Sequence, residues 1–132
     1  MLQQVSKVFL IEDDVVTTFL IKTLMEKFSF ATEILTFQNG AVALDALNHS
    51  GTYPDLLFLD LNMPIMNGWE FLDQIKGDRN YSQIPIYILT SSIDPADKSR
   101  SHHFPNVKGY LVKPLGVKDL KSIQWEGKNK ET

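Results

Sequence analysis

Asp55–Pro64 reads DLLFLDLNMP, and this stretch decides the fold. Leu56, Leu57, Phe58 and Leu59 form a continuous apolar run with none of the alternation of a half-exposed strand. A run of this length reads as a strand buried on both faces, as in a parallel sheet. It ends in an ionisable residue, Asp60, and an unpaired carboxylate in such an interior is costly. Asp60 therefore either caps the exit of the strand, in a loop continued by Asn62 and Pro64, or its carboxylate is held there for a chemical purpose.

The same period extends in both directions. Lys7 to Ile11 reads as a buried strand, followed by a helical pattern in which Val16, Phe19, Leu20, Leu24 and Phe28 recur three or four apart. A short strand, EILTF, precedes a helix opened by Asn39-Gly40 and carrying Val42, Leu44, Ala46 and Leu47. Beyond the quoted stretch, NGWEFLDQIKGD predicts a helix with Trp69, Leu72 and Ile75 on its inner face. IPIYILT is a fourth strand, DPADKSRSHHF a weak helix, VKGYLV a fifth strand and VKDLKSIQ a short last helix. Strict β-α alternation implies an α/β fold, a five-stranded parallel sheet with right-handed crossovers and helices on both faces. Ligands of such open sheets bind outside the carboxyl ends of the strands.

Composition bounds the rest. The 132 residues suit one domain, 43% hydrophobic and 22% charged, with a net charge of −3 that argues against nonspecific binding to nucleic acid or to an anionic membrane. No apolar segment approaches a membrane span, and the N-terminus lacks the layout of a signal peptide. With no cysteine, thiol chemistry is excluded and a cytoplasmic location is the expectation. The domain is expected over residues 1–124, with residues 125–132 a short polar tail apart from Trp125.

The strand ends carry the chemistry. The first ends in Glu12, Asp13 and Asp14, the third in Asp60 with Asn62 two residues on, the fourth in Thr90, Ser91 and Ser92, and the fifth in Lys113 and Pro114. Each alone has an ordinary explanation as a helix-start acid, a cap or a solvated lysine. Together they face one rim. With the first and third strands adjacent, Glu12, Asp13 and Asp60 would lie about 5 Å apart, each ionised pair repelling by about 3 kcal/mol at an effective dielectric near 20. A cation must relieve this, or one acid must stay protonated. Oxygen-only ligands select a hard ion, for which Mg²⁺ is the natural candidate. Thr90 and Lys113 would be redundant for a metal but suit an anion arriving at Asp60, so the set describes a carboxylate that attacks phosphorus.

From Lys7 to Gln124 the chain resembles the receiver domain of two-component response regulators, through LIEDD, FLDLNMPIMNGWEFL, ILTSS and KGYLVKPL in order at the strand ends. The resemblance implies the flavodoxin-like strand order 2-1-3-4-5 and Asp60 as phosphoacceptor. It implies that Glu12, Asp13, Asp60 and the backbone carbonyl of Asn62 hold Mg²⁺, with Asp14 a helix-start acid. It makes Thr90 the switch hydroxyl, Lys113 the cation paired with it and Tyr110 the aromatic whose rotamer reports activation. It places a cis bond at Lys113-Pro114, and Asn62 and Ser92 where the lifetime of phosphoaspartate is tuned. Leu115 departs from the commoner Phe, which alters packing alone, and His102-His103 reads as a solvated pair. The implied partners are a sensor histidine kinase or histidine phosphotransfer protein as donor, and a target protein that binds the face of the fourth helix, fifth strand and fifth helix. The fourth helix, with few apolar anchors, is suited to shift. Three alternatives compete. A phosphorylation-independent binding module would not need the intact acids, Thr90 and Lys113. A Mg²⁺-dependent phosphohydrolase of the haloacid dehalogenase type would carry DxD on its first strand and a cap domain. A flavin or nucleotide carrier would not place EDDVVTT where phosphate must bind.

Overall fold

The computed structural model describes residues 4–49 and 53–123. Its elements are β1 (Val5–Ile11), α1 (Val15–Lys27), β2 (Ala31–Phe37), α2 (Gly40–His49), β3 (Leu56–Asp60), α3 (Gly68–Lys76), a 3₁₀ turn at Tyr81–Gln83, β4 (Ile86–Thr90), α4 (Pro95–Ser101), β5 (Val107–Val112) and α5 (Val117–Ser122). The five strands form one sheet in the order β2-β1-β3-β4-β5, and every pairing is parallel. The doubly wound architecture expected from the alternation is the one observed. Residues 124–132, including Gln124 at the expected domain end and the expected tail, lie outside the described residues.

β3 is the centre of the sheet, and all five of its residues are buried. Leu57 and Leu59 point into one core, shared with Phe9, Ile11, Ile88 and the α2 and α3 side chains Leu47, Phe71, Leu72 and Ile75. Leu56 and Phe58 point into the other, with Val8, Leu10, Leu89 and Leu111 under Ile21 and Met25 of α1 and Leu120 of α5. Helices on both faces explain why the strand has no polar alternation. Register is pinned at the strand's entry: the Asp55 N–H donates to the Lys7 carbonyl at 2.9 Å, and the Lys7 N–H returns a 3.0 Å bond to the Asp55 carboxylate. The aligned strands consequently deliver Ile11 and Leu59 side by side, so Glu12 and Asp60 leave the sheet together.

The α1 pattern requires a correction. The helix forms where expected, but Ile21 and Met25 are its buried residues, whereas Val16, Phe19 and Leu20 are 64%, 65% and 56% exposed. VVTTFLIKTLMEK is apolar around most of its circumference, so periodicity finds the helix and leaves the inward stripe ambiguous. On α2, similarly, Ala43 and Leu47 are buried and Val42 is exposed. α3 turns Trp69, Leu72 and Ile75 inward as expected, its start fixed by an Asn67/Glu70 capping box.

Candidate functional site

At the carboxyl ends of β1 and β3, oxygens of Glu12, Asp13 and Asp60 lie within 4.8 Å of one another. Glu12 and Asp60 are buried, while Asp13 faces solvent. Glu12 is held by its neighbours: its carboxylate accepts from the Asp14 N–H at 3.1 Å and from the Lys113 Nζ at 3.0 Å. Lys113 also lies 3.6 Å from the Asp60 Oδ1, so one ammonium from the β5 end bridges two of the three acids. Asp14 plays the other part expected of it, capping α1 by accepting from the Thr17 N–H at 2.8 Å and the Thr17 hydroxyl at 2.6 Å. These bonds hold the Asp14 carboxyl below its ordinary range.

The cluster shifts its own protonation. Burial, followed by the charge of Glu12, pushes Asp60 up to about 7, against the pull of Lys113 and of the Asn62 backbone. For Lys113, burial works to lower the ammonium, but the hydrogen bond to Glu12 and the charges of Asp60 and Glu12 outweigh it and hold it above its usual value. One lysine leaves three carboxylates undercompensated. The donor set is all oxygen, and the charge of Glu12 adds to burial in raising Asp60. Both observations fit a hard divalent cation such as Mg²⁺.

The remaining expected residues stand around this cluster without all touching it. Thr90 ends β4 beside β3, but its hydroxyl donates to the Ser92 carbonyl at 2.7 Å, so it is turned into its own loop. The Tyr110 hydroxyl donates to the Asp97 carbonyl of α4 at 3.0 Å. Ser92 and Asn62 are exposed, and the Asn62 backbone donates to Asp60. The Lys113-Pro114 bond is cis, as expected, and the Lys113 N–H donates to the Thr90 carbonyl at 2.7 Å, which ties the two ends together.

Gly68 was not singled out in the sequence. A Cβ there would come within 2.6 Å of the Asp60 carbonyl oxygen, and its N–H donates to the Leu61 carbonyl at 3.0 Å. α3 thus begins against the backbone of Asp60, a close approach that only glycine allows. Asn67-Gly68 signalled a helix start and nothing more. Beside the acids, a groove of about 570 Å³ runs between α1 and the Lys113-Pro114-Leu115 turn, lined by Thr17, Leu20 and Leu24.

The sequence profile of the response regulator receiver domain matches residues 8–124. The chain belongs to this family. Among its relatives, the receiver is 36% identical over 118 residues to the probable methanogenesis regulatory protein FilR2 of Methanothrix harundinacea, covering 86% of this chain and 76% of that protein. The fold matches the Mn²⁺-bound form of response regulator Rcp1 with a TM-score of 0.73 and 28% identity, over 87% of this chain and 86% of that one. It matches the phosphorylated cyanobacterial phytochrome response regulator RcpA with a TM-score of 0.75 and 31% identity, over 87% and 85%. The receiver is accordingly a response regulator domain of two-component signalling, a class whose acidic pocket takes Mg²⁺ or Mn²⁺ and whose partners are histidine kinases or phosphotransfer proteins and downstream targets. Among the described residues no helix is long and apolar enough to cross a membrane.

Proposed function

We propose that Asp60 accepts a phosphoryl group from the phosphohistidine of a sensor histidine kinase or histidine phosphotransfer protein, and that the product switches a protein-binding face. The observation that carries this is the bridge of Lys113 across Glu12 and Asp60 inside a three-carboxylate cluster at the rim of the sheet. Glu12, Asp13, Asp60 and the Asn62 carbonyl are the groups that would hold Mg²⁺. When bound, the ion supplies charge neutralisation for the carboxylate and phosphoryl oxygens.

An Asp60 oxygen attacks phosphorus, the donor's P–N bond breaks, and its electron pair leaves with the imidazole. Lys113 neutralises charge growing at Asp60. Burial keeps the carboxylate from moving and keeps bulk water from competing with it. The phosphoryl group brings about two negative charges. The Thr90 hydroxyl, one bond rotation from its Ser92 partner, turns to donate to a phosphoryl oxygen, and Tyr110 leaves Asp97 for the space beside β4. Asn62 and Ser92 border the acyl phosphate and tune its hydrolysis. α4, β5 and α5 thereby change as a target-binding face. The protein turns over no external substrate beyond its own phosphorylation and dephosphorylation, acts in the cytoplasm, and uses residues 1–124 as its receiver unit.

Intact-mass analysis after incubation with acetyl phosphate, with and without Mg²⁺, tests the proposal. The expected result is a Mg²⁺-dependent gain of one phosphoryl group that Asp60→Asn abolishes. No gain from acetyl phosphate or from a panel of phosphorylated kinases would leave a binding module in its place.

A further inference from the structure

α4 has no apolar face. Of its seven residues only Ser101 is buried, and Pro95 and Ala96 are exposed. What ties it to the opposite flank is aromatic. Phe104, just past its end, is buried against Trp69 of α3, their ring centroids 6.1 Å apart. The Arg100 guanidinium lies 4.5 Å from the centroid of the Trp69 ring, and the Lys76 ammonium 5.1 Å from that of Phe104. Trp69 follows Gly68, the residue pressed against the Asp60 carbonyl. One peptide bond therefore separates the contact with the phosphoacceptor backbone from the ring that holds α4.

We propose that Gly68-Trp69 and Arg100 form a second link between Asp60 and α4, on the α3 side of the sheet, and that the Arg100–Trp69 contact holds α4 in its resting place until Asp60 is modified. This rests on the phosphoacceptor role assigned to Asp60. It is separate from the Thr90–Tyr110 route, which reaches α4 from β4 and β5 through Asp97. A cation over an indole suits such a catch, because a contact whose cation faces solvent, as Arg100 does over the buried Trp69, is weak enough to be broken by a modest rearrangement. By linkage, a contact present in only one state must change the affinity for whatever selects the other state.

The test uses the full chain with Trp125→Phe, so that Trp69 is the only indole, and beryllofluoride with Mg²⁺ as the phosphoryl probe. The link predicts that beryllofluoride changes Trp69 emission. Arg100→Ala should move the resting emission toward the loaded value and lower the half-saturating beryllofluoride concentration by about two- to fivefold, with Arg100→Lys in between. At saturating beryllofluoride the emission change should survive Thr90→Ala. Unchanged half-saturation in Arg100→Ala, even with a lowered Tm, would make the contact simple packing and overturn the proposal. Loss of the emission change in Thr90→Ala would overturn the separate route. Beryllofluoride that fails to bind the parent chain at all, seen by ¹⁹F NMR, would overturn the phosphoacceptor role and the link together.

Discussion

Asp60 is the residue on which the proposed chemistry turns, and its environment makes a measurable statement without any donor. Its carboxyl stands at about 7 because of burial and of Glu12, whereas in the unfolded chain it returns to its ordinary value near 3.8. Between those values the folded chain binds the extra proton, so metal-free stability should fall as pH rises from about 4 to about 7 and be flat in this contribution above that. Thermal melts at pH 5 and pH 8 should differ more for wild type than for Asp60→Asn, by on the order of 1–3 kcal/mol once solvent screening of the partly buried carboxyl is allowed for. Mg²⁺ at pH 8 should recover most of the loss, and a wild-type pH dependence equal to that of the variant would contradict this. Asp55, at the other end of β3, carries a structural burden: Asp55→Ala leaves the Lys7 N–H without its carboxylate and should cost about 1–3 kcal/mol in urea unfolding. The two acids of DLLFLDLNMP illustrate what a sequence discloses at this scale. Asp60 stood out because a buried run ended in it and because other strand ends carried complementary groups. The role of Asp55 was not visible, because a bond to a backbone N–H forty-eight residues away leaves no local pattern.

The helices separate what periodicity can and cannot resolve. α3 was legible because charge interrupts its outer face, whereas α1 is apolar nearly all round and only the sheet decides that Ile21 and Met25 turn inward. That leaves Val15, Val16, Phe19 and Leu20 exposed on the helix that starts beside Asp13, next to the groove reaching Lys113. A protein donor would find apolar area there that acetyl phosphate does not use. Phe19→Ser should therefore change stability by less than about 0.5 kcal/mol. It should slow transfer from a phosphorylated histidine donor while leaving the rate with acetyl phosphate unchanged; equal slowing of both would remove α1 from donor contact. Met25→Ala on the opposite stripe is the contrasting case, with an expected loss of about 2–5 kcal/mol. The weakness of α4 was also legible, from its lack of apolar residues. Its contact with Trp69 was not, since Trp69 and Arg100 lie on different elements and nothing local pairs them.

In the whole molecule, one sheet order does the work of assembly. β1, β3 and β5 bring acids and a lysine from residues 12, 60 and 113 to a common rim, and β4 sets Thr90 between them. The alternation of apolar segments was enough to expect this architecture, because each strand buried on both faces demands helices above and below. The state of the proposed switch was beyond reach of the sequence: Thr90 turned to Ser92 and Tyr110 bound to Asp97 are conformations, which no residue pattern encodes. The most direct measurement of the central claim is to trap the phosphorylated receiver with borohydride, which reduces an acyl phosphate of aspartate to homoserine, and to map the product by peptide mass spectrometry. Phosphorylation on the buried carboxylate predicts homoserine at position 60 alone, formed only with Mg²⁺ present. Homoserine at position 13, the longer 5-hydroxynorvaline at position 12, or no reduced residue after a confirmed gain of phosphate, would contradict it.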